Sequence, residues 1–210
     1  MPDSSFDQAR LTATLRAQDN VISRQQALAC GMTRSTLAHR LRPGGPWQRL
    51  LPGVYLSQTG DPNVVQKDMA ALLHAGLGSV LTGAAALRGL GLTDVEPARF
   101  DVLVPNSRRP QSVSFVTIQR TTRMPERVVS EGPRRYTLPP RALVDTARGM
   151  TSLPEVRALI VAAVQRGDCP LRALVGELPH GRVRSSALLR QALAEVAEGI
   201  RSAAEPSSRT

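Results

Sequence analysis

Helix caps and stop residues follow one another so closely before Trp47 that only short helices fit between them. Apolar residues at helical spacing predict three helices, over residues 6–16, 24–30 and 34–42. Ser23 and Thr33 are placed to cap the second and third helices, and Gly31 is placed to end the second. The start of the chain is therefore predicted to consist of three short helices.

Two short apolar runs between Trp47 and Leu56 are joined at Pro52-Gly53, a pattern that predicts a small β-hairpin. Trp47 and Tyr55 are expected to anchor this hairpin in the core. The sequence thus predicts three short helices, with a tight turn between the second and third, followed directly by a hairpin. This order is typical of a winged helix-turn-helix. We therefore predict a winged helix-turn-helix domain over residues 1–60.

From Pro62 onwards the sequence predicts a second, mixed α/β domain over residues 61–201. Strands are expected over residues 100–104 and 113–118, with a second hairpin around Gly132-Pro133. Helices are expected over residues 64–75, 81–90, 153–164, 171–178 and 186–201, and from Pro139 onwards. Residues 202–210 contain almost no large apolar side chain and are expected to be a disordered tail. The predicted fold class is α+β, a winged helix-turn-helix followed by a mixed domain that ends in helices.

The charge of the chain favours an anionic partner. Its formal net charge is +10, and Lys67 is the only lysine among 27 basic residues. The planar fork of arginine suits contacts to phosphate and to base edges, although an arginine-rich genome would explain the ratio equally well. No stretch resembles a signal peptide or approaches the length of a membrane span, so we expect a soluble, cytoplasmic protein without a membrane partner.

The third helix and the hairpin carry the predicted DNA contacts. In helix-turn-helix proteins the second helix of the pair enters the major groove, while neighbouring elements contact phosphate. The predicted DNA-binding residues are Arg34, Ser35, Ala38, His39, Arg42, Gln48 and Arg49. The alternative interpretation is an ordinary solvated helix face.

Further basic residues follow the predicted strands. They are Arg108, Arg109, Arg120 and Arg123, with Arg134-Arg135 further on. They could extend a basic surface along a DNA backbone or bind an acidic partner. A scattered, solvated set of charges is the open alternative.

No set of residues predicts a convincing reaction centre, so we expect no enzyme, no metal and no cofactor. A restriction-like nuclease usually needs a lysine on a strand, whereas Lys67 lies in a predicted helix. Gly78-Ser79 followed by Asp94 and Glu96 faintly resembles a nucleotidyltransferase, but the two carboxylates lie in a predicted loop.

Isolated polar residues are expected to have structural roles. Cys30 and Cys169 are far apart and are expected to be small buried residues. His74 is expected to pack partly buried on its helix, and Asp145 is expected to pair with an arginine or with a helix dipole.

Five segments of the sequence resemble the AbiEi-type antitoxins of type IV toxin-antitoxin systems and their actinobacterial relatives. They are VISRQQALACGMTRSTL at 21–37, WQRLLPGVY at 47–55, GAAALRGL at 83–90, FDVLVP at 100–105 and LPPRALVDTA at 138–147. The resemblance spans most of the chain and rests on packing and turn residues rather than on catalytic ones.

The resemblance implies an N-terminal winged helix that binds promoter repeats and represses its own promoter. It also implies a C-terminal domain that neutralises a nucleotidyltransferase-like toxin. The expected partners are thus double-stranded promoter DNA and such a toxin, with a homodimer on the DNA left open. Longer relatives carry an endonuclease-like domain that begins near the motif GIRSAAE at 199–205, so the resemblance implies the family without its nuclease. The alternative function is a residual nucleic-acid-processing module whose enzyme domain is absent or acts in trans.

Overall fold

The structure, a computed structural model, describes residues 6–167, 169–178 and 187–204. It contains helices and two β-sheets, so the fold is mixed α and β. The helices are α1 (Gln8–Ala17), α2 (Arg24–Ala29), α3 (Arg34–Arg40), α4 (Val64–Ala75), α5 (Gly83–Gly89), α6 (Pro139–Ala147), α7 (Leu153–Gln165), α8 (Leu171–Glu177) and α9 (Ala187–Ala204). The strands are β1 (Val21–Ser23), β2 (Gln48–Leu51), β3 (Val54–Leu56), β4 (Val80–Thr82), β5 (Phe100–Pro105), β6 (Val116–Thr121), β7 (Val128–Glu131) and β8 (Arg134–Thr137).

The described residues form two compact units that do not follow chain order. Unit 1 comprises the residues up to Leu81 together with residues 96–136. Unit 2 comprises residues 82–95 and those from Thr137 onwards. The predicted boundary between residues 60 and 61 lies inside unit 1, and a division there into two functional domains stays a prediction.

Unit 1 begins with three short helices and a three-stranded antiparallel sheet. β3 is the middle strand and pairs with both β1 and β2. The three predicted helices and the hairpin are confirmed, and Ser23 and Thr33 cap α2 and α3 as expected. The third helix ends at Arg40 rather than at the predicted Arg42, because the chain turns after its C-cap Leu41. β1 lies outside the predicted elements, because its three residues are too few to show a strand pattern.

One hydrophobic core joins these helices to the sheet. Its buried members are Leu11, Ile22, Ala27, Cys30, Met32, Leu37, Trp47 and Tyr55. Trp47 and Tyr55 are buried, which confirms the prediction that they anchor the hairpin. Since the helices and the hairpin all contribute to this core, apolar burial fixes the position of α3 within it.

The turn between α1 and β1 is tied to later parts of unit 1. The amide of Gln66, at the start of α4, donates to the Asp19 carbonyl oxygen at 3.0 Å. The Arg134 guanidinium donates to the Asp19 carboxylate at 2.5 Å and lies 3.4 Å from the carboxylate of Glu131. Burial opposes the charge on Arg134, but the neighbouring Tyr136, Asp19 and Glu131 outweigh it and raise the pKa of Arg134.

A five-stranded sheet has the order β6-β5-β4-β8-β7, with β5 parallel to β6 and β4 parallel to β8. Two elements begin later than predicted. β4 occupies the start of the segment 81–90, so the helix predicted there begins only at Gly83. β6 begins at Val116 rather than Val113, because these two residues close a tight turn through two backbone hydrogen bonds, with Ser114 at a φ of 53°.

Unit 2 consists largely of helices and contains a buried polar network. α5 packs against α6, and α7 packs against α9. The carboxylate of Asp145 accepts hydrogen bonds from Thr82 at 2.7 Å, Arg141 at 2.8 Å and Arg148 at 2.5 Å. The expectation that Asp145 is structural and pairs with arginine is confirmed.

The ends of the last helix differ from the prediction. α9 continues to Ala204, so residues 202–204 are helical rather than part of a tail. Residues 205–210, the rest of the predicted tail, and Ser186, the predicted helix start, lie outside the described residues. Among the helices that the structure describes, none combines the length and apolar character needed to cross a bilayer.

Candidate nucleic-acid interface

The third helix is set up by its cap and by one buried leucine. Thr33 Oγ1 accepts from the backbone nitrogen of Thr36 at 3.1 Å and fixes the first turn of α3. Leu37 is 4% exposed and packs into the core of unit 1. Leu37 is the buried residue of α3, so its position determines which side of the helix faces solvent.

The opposite side of α3 and the residues after it are open to solvent. Arg34, Ser35, Ala38 and His39 are exposed, as the helical spacing predicted, and Arg42 follows them in the exposed turn. We call these five residues the exposed stripe. Within α3, positions 34 and 38, and 35, 38 and 39, come together through spacings of three or four residues, and Arg42 joins them from the turn after the helix through its contact with His39. The five predicted residues of this segment thus share a surface that is open to a partner.

Three of these side chains already have hydrogen-bond partners within the protein. Nη1 of Arg42 lies 2.7 Å from Nε2 of His39, so the ring nitrogen accepts from the guanidinium. The contact leaves the remaining N–H groups of Arg42 available. The hydroxyl of Ser35 lies 2.9 Å from that of Thr33, which keeps it close to the start of the helix.

The chain turns back sharply after α3. The backbone nitrogen of Trp47 donates to the Arg40 carbonyl oxygen at 3.1 Å. A Cβ on Gly45 would clash with the same oxygen, so only glycine fits there. The guanidinium of Arg40 lies 5.1 Å from the centre of the Trp47 ring, so this arginine packs on the core and is separate from the exposed stripe.

The two residues of the hairpin that are predicted to contact DNA differ in whether their side chains are free to do so. Arg49 is exposed, with its guanidinium 6.0 Å from the centre of the Tyr55 ring. Gln48 is half-buried, and its amide nitrogen donates to the carbonyl oxygens of Gln58 at 3.1 Å and Gly60 at 2.5 Å. Both N–H groups of Gln48 are therefore used to hold the segment after β3.

Arg24 is an exposed arginine outside the predicted set. It is the first residue of α2, and its backbone nitrogen donates to the Gly53 carbonyl oxygen at 2.7 Å. This bond places the hairpin turn next to the start of α2. The sequence signal for Arg24 is its position directly after the cap Ser23, but its proximity to the turn depends on β1, which the sequence pattern does not reveal.

The second basic group is brought together by parallel strands. Residues 108 and 109 follow β5, and residues 120 and 123 lie at the end of β6. Since β5 and β6 are parallel and Pro105 pairs with Thr121, both pairs lie at the same edge of the sheet. Arg108, Arg109, Arg120 and Arg123 are all exposed.

Most of the residues that were considered as catalytic candidates make contacts within the protein. Lys67 pairs with Glu96 at 2.6 Å, and the Ser79 hydroxyl donates to the Leu72 carbonyl oxygen at 3.2 Å. Asp94 lies in a segment without strand structure, as expected. His74 is half-buried and lies 2.9 Å from the carbonyl oxygen of Gln111, which confirms its predicted packing role.

No model of a known protein family matches the sequence, and no curated protein shows significant similarity to it.

Proposed function

We propose that residues 6–60 form a winged helix-turn-helix and that the protein is a sequence-specific DNA-binding regulator that acts in the cytoplasm. The observation that carries the proposal is the exposed stripe of α3, which bears two arginines and a histidine around the small residues Ser35 and Ala38. Two features support it further. The helices and the hairpin follow in the order of this motif, and β1 joins the hairpin in one sheet.

The chemistry of the stripe suits the major groove. Arg34 and Arg42 can each donate two parallel hydrogen bonds to guanine or bind phosphate. Ala38 is small enough to let the helix backbone approach the bases, and its methyl group can contact thymine. The formal net charge of +10 would favour association with the DNA backbone at any sequence.

Residues beside the stripe would contact the DNA backbone. Arg24 and Arg49 are exposed on elements that meet at the hairpin turn, and we assign them to phosphate contacts. We assign Gln48 a positioning role, because both of its N–H groups are used within the protein.

The double variant Arg34→Ala/Arg42→Ala tests this assignment. We expect it to lose sequence-specific binding to the DNA upstream of its own gene, since each bidentate contact to a base contributes about 1–3 kcal/mol of discrimination. Binding is measured by fluorescence anisotropy of labelled duplexes, and circular dichroism reports whether the variant is folded.

The matched control is Arg172→Ala/Arg190→Ala, which removes the same charge from α8 and α9. It should retain the discrimination between the native and a scrambled duplex. Unchanged specificity in a folded Arg34→Ala/Arg42→Ala variant would overturn the assignment of α3.

We further propose that the protein is the antitoxin of a type IV toxin-antitoxin pair, without enzymatic activity of its own. This part rests on the sequence resemblance alone. It predicts that co-expression restores growth of cells that produce a nucleotidyltransferase-like toxin encoded beside this gene. Growth arrest that persists while the protein is present in soluble form would contradict it.

A further inference from the structure

A pocket of about 470 Å³ lies within unit 1, between α2, α4, the turn at residues 76–79 and the start of β8. Its size falls in the range of sites that hold small organic molecules, roughly 300–1,000 Å³. It is separate from the exposed stripe of α3 and is not used by the proposed function.

One side of the pocket is apolar and includes an exposed leucine. Met69, Leu72 and Leu73 of α4 form this side, and Leu77 in the following turn is 89% exposed. Gly76 allows the turn with a φ of 85°, and the Arg108 guanidinium holds it by donating to the Leu77 carbonyl oxygen. Leu77 is thus kept beside the pocket without being buried by the chain itself.

The other side is polar, and most of its hydrogen-bonding groups are satisfied. The amide of Gln18 and that of Gln26 bond each other at 2.7 and 3.2 Å. The hydroxyl of Ser79 donates to a backbone carbonyl. These groups form a fixed polar wall and are not free to bind an ion.

Arg135 carries the single charge among the described residues that line the pocket. It is half-buried, and no carboxylate within the described part of the chain pairs with it. A guanidinium in a pocket that has one apolar side is complementary to a planar anion attached to an apolar body.

We propose that this pocket binds a small amphipathic monocarboxylate. The carboxylate pairs with Arg135, and the apolar body covers Leu73 and Leu77. This proposal is independent of the proposed DNA-binding function, and a negative result for one does not affect the other.

Titration of the full-length, ¹⁵N-labelled protein with 4-phenylbutyrate tests the site. The matched probe is 4-phenylbutanol, which has the same apolar body but no charge. We expect saturable chemical-shift changes for residues 73–79 and 135 with the acid, and binding of the alcohol that is about tenfold weaker.

Two variants and one control make the test specific. Arg135→Gln should weaken 4-phenylbutyrate binding about tenfold, and Leu77→Ser should weaken it without affecting the fold, because Leu77 is exposed. Arg127→Gln removes an exposed charge outside the pocket lining and should bind as the natural chain does. Shift changes that avoid the pocket, equal binding of acid and alcohol, or equal affinity of the Arg135→Gln and Arg127→Gln variants would each overturn the proposal.

Discussion

Asp145 shows how much the stability of unit 2 depends on one side chain. Its carboxylate has no exposure to solvent, and two arginines and a threonine donate to it. A buried charge of this kind is tolerable only because it is fully paired, so loss of the charge leaves its partners uncompensated.

We predict that Asp145→Asn lowers the free energy of unfolding by about 3 kcal/mol, since asparagine keeps the shape but not the charge that Arg141 and Arg148 require. The measurement is the midpoint of urea denaturation of the full-length chain. Asp94→Asn is the control, because Asp94 is exposed, and it should change the free energy by less than about 0.5 kcal/mol. Equal free energies of unfolding for the two variants would show that the hydrogen bonds to Asp145 do not stabilise the fold.

The exposed part of the candidate site was predictable from spacing, but its hydrogen bonds were not. Helical periodicity alone separates buried Leu37 from its exposed neighbours. By contrast, Gln48 is in the predicted contact set, yet its amide binds the carbonyl oxygens of Gln58 and Gly60. Such partners depend on the path of the chain after β3, which local patterns do not encode.

At the level of elements, the start of α4 is fixed by a buried glutamine. Gln66 Oε1 accepts from the Asn63 backbone nitrogen at 3.0 Å, and its amide nitrogen donates to the carbonyl oxygen of Asp19. Gln66 itself is 4% exposed, whereas Asn63 is exposed and Asp19 is half-buried, so a buried side chain holds two backbone groups nearer the surface. One side chain therefore both caps α4 and holds the turn before β1.

We predict that Gln66→Met, which preserves volume but not hydrogen bonding, lowers the free energy of unfolding by about 2 kcal/mol. The cause is the loss of the two hydrogen bonds that the side chain makes to the backbone of Asn63 and Asp19. Gln165→Met, at the exposed end of α7, should stay within about 0.5 kcal/mol of the natural chain. A loss of similar size in both variants, measured by urea denaturation, would mean that Gln66 has no special role.

Helices were easier to predict than strands. α2, α3 and α4 begin where a serine, threonine or asparagine caps them, and this signal lies within a few residues of sequence. β1 and β4 have three residues each and exist because they pair with distant partners, Val21 with Leu56 and Leu81 with Tyr136. Pairing across such separations leaves no periodic pattern in so short a strand.

At the scale of the whole molecule, the division into units was not predictable from local sequence. Pro62 marks a change in composition, yet α4 and most of the five-stranded sheet belong to the same compact unit as α1 to β3. Residues 82–95 belong instead with the helices after Thr137. A composition change reports a change of local structure, whereas compact units depend on which distant segments pack together.

We propose above all that the protein recognises a particular DNA sequence. The direct test measures binding of the full-length chain to the DNA upstream of its own gene and to a scrambled duplex of equal length, across a salt series. We predict binding to the native duplex that is about 10³-fold tighter or more at physiological salt, and a decrease in both affinities as salt rises. Equal affinity for the two duplexes, lost as salt increases, would contradict the claim and leave only a basic surface.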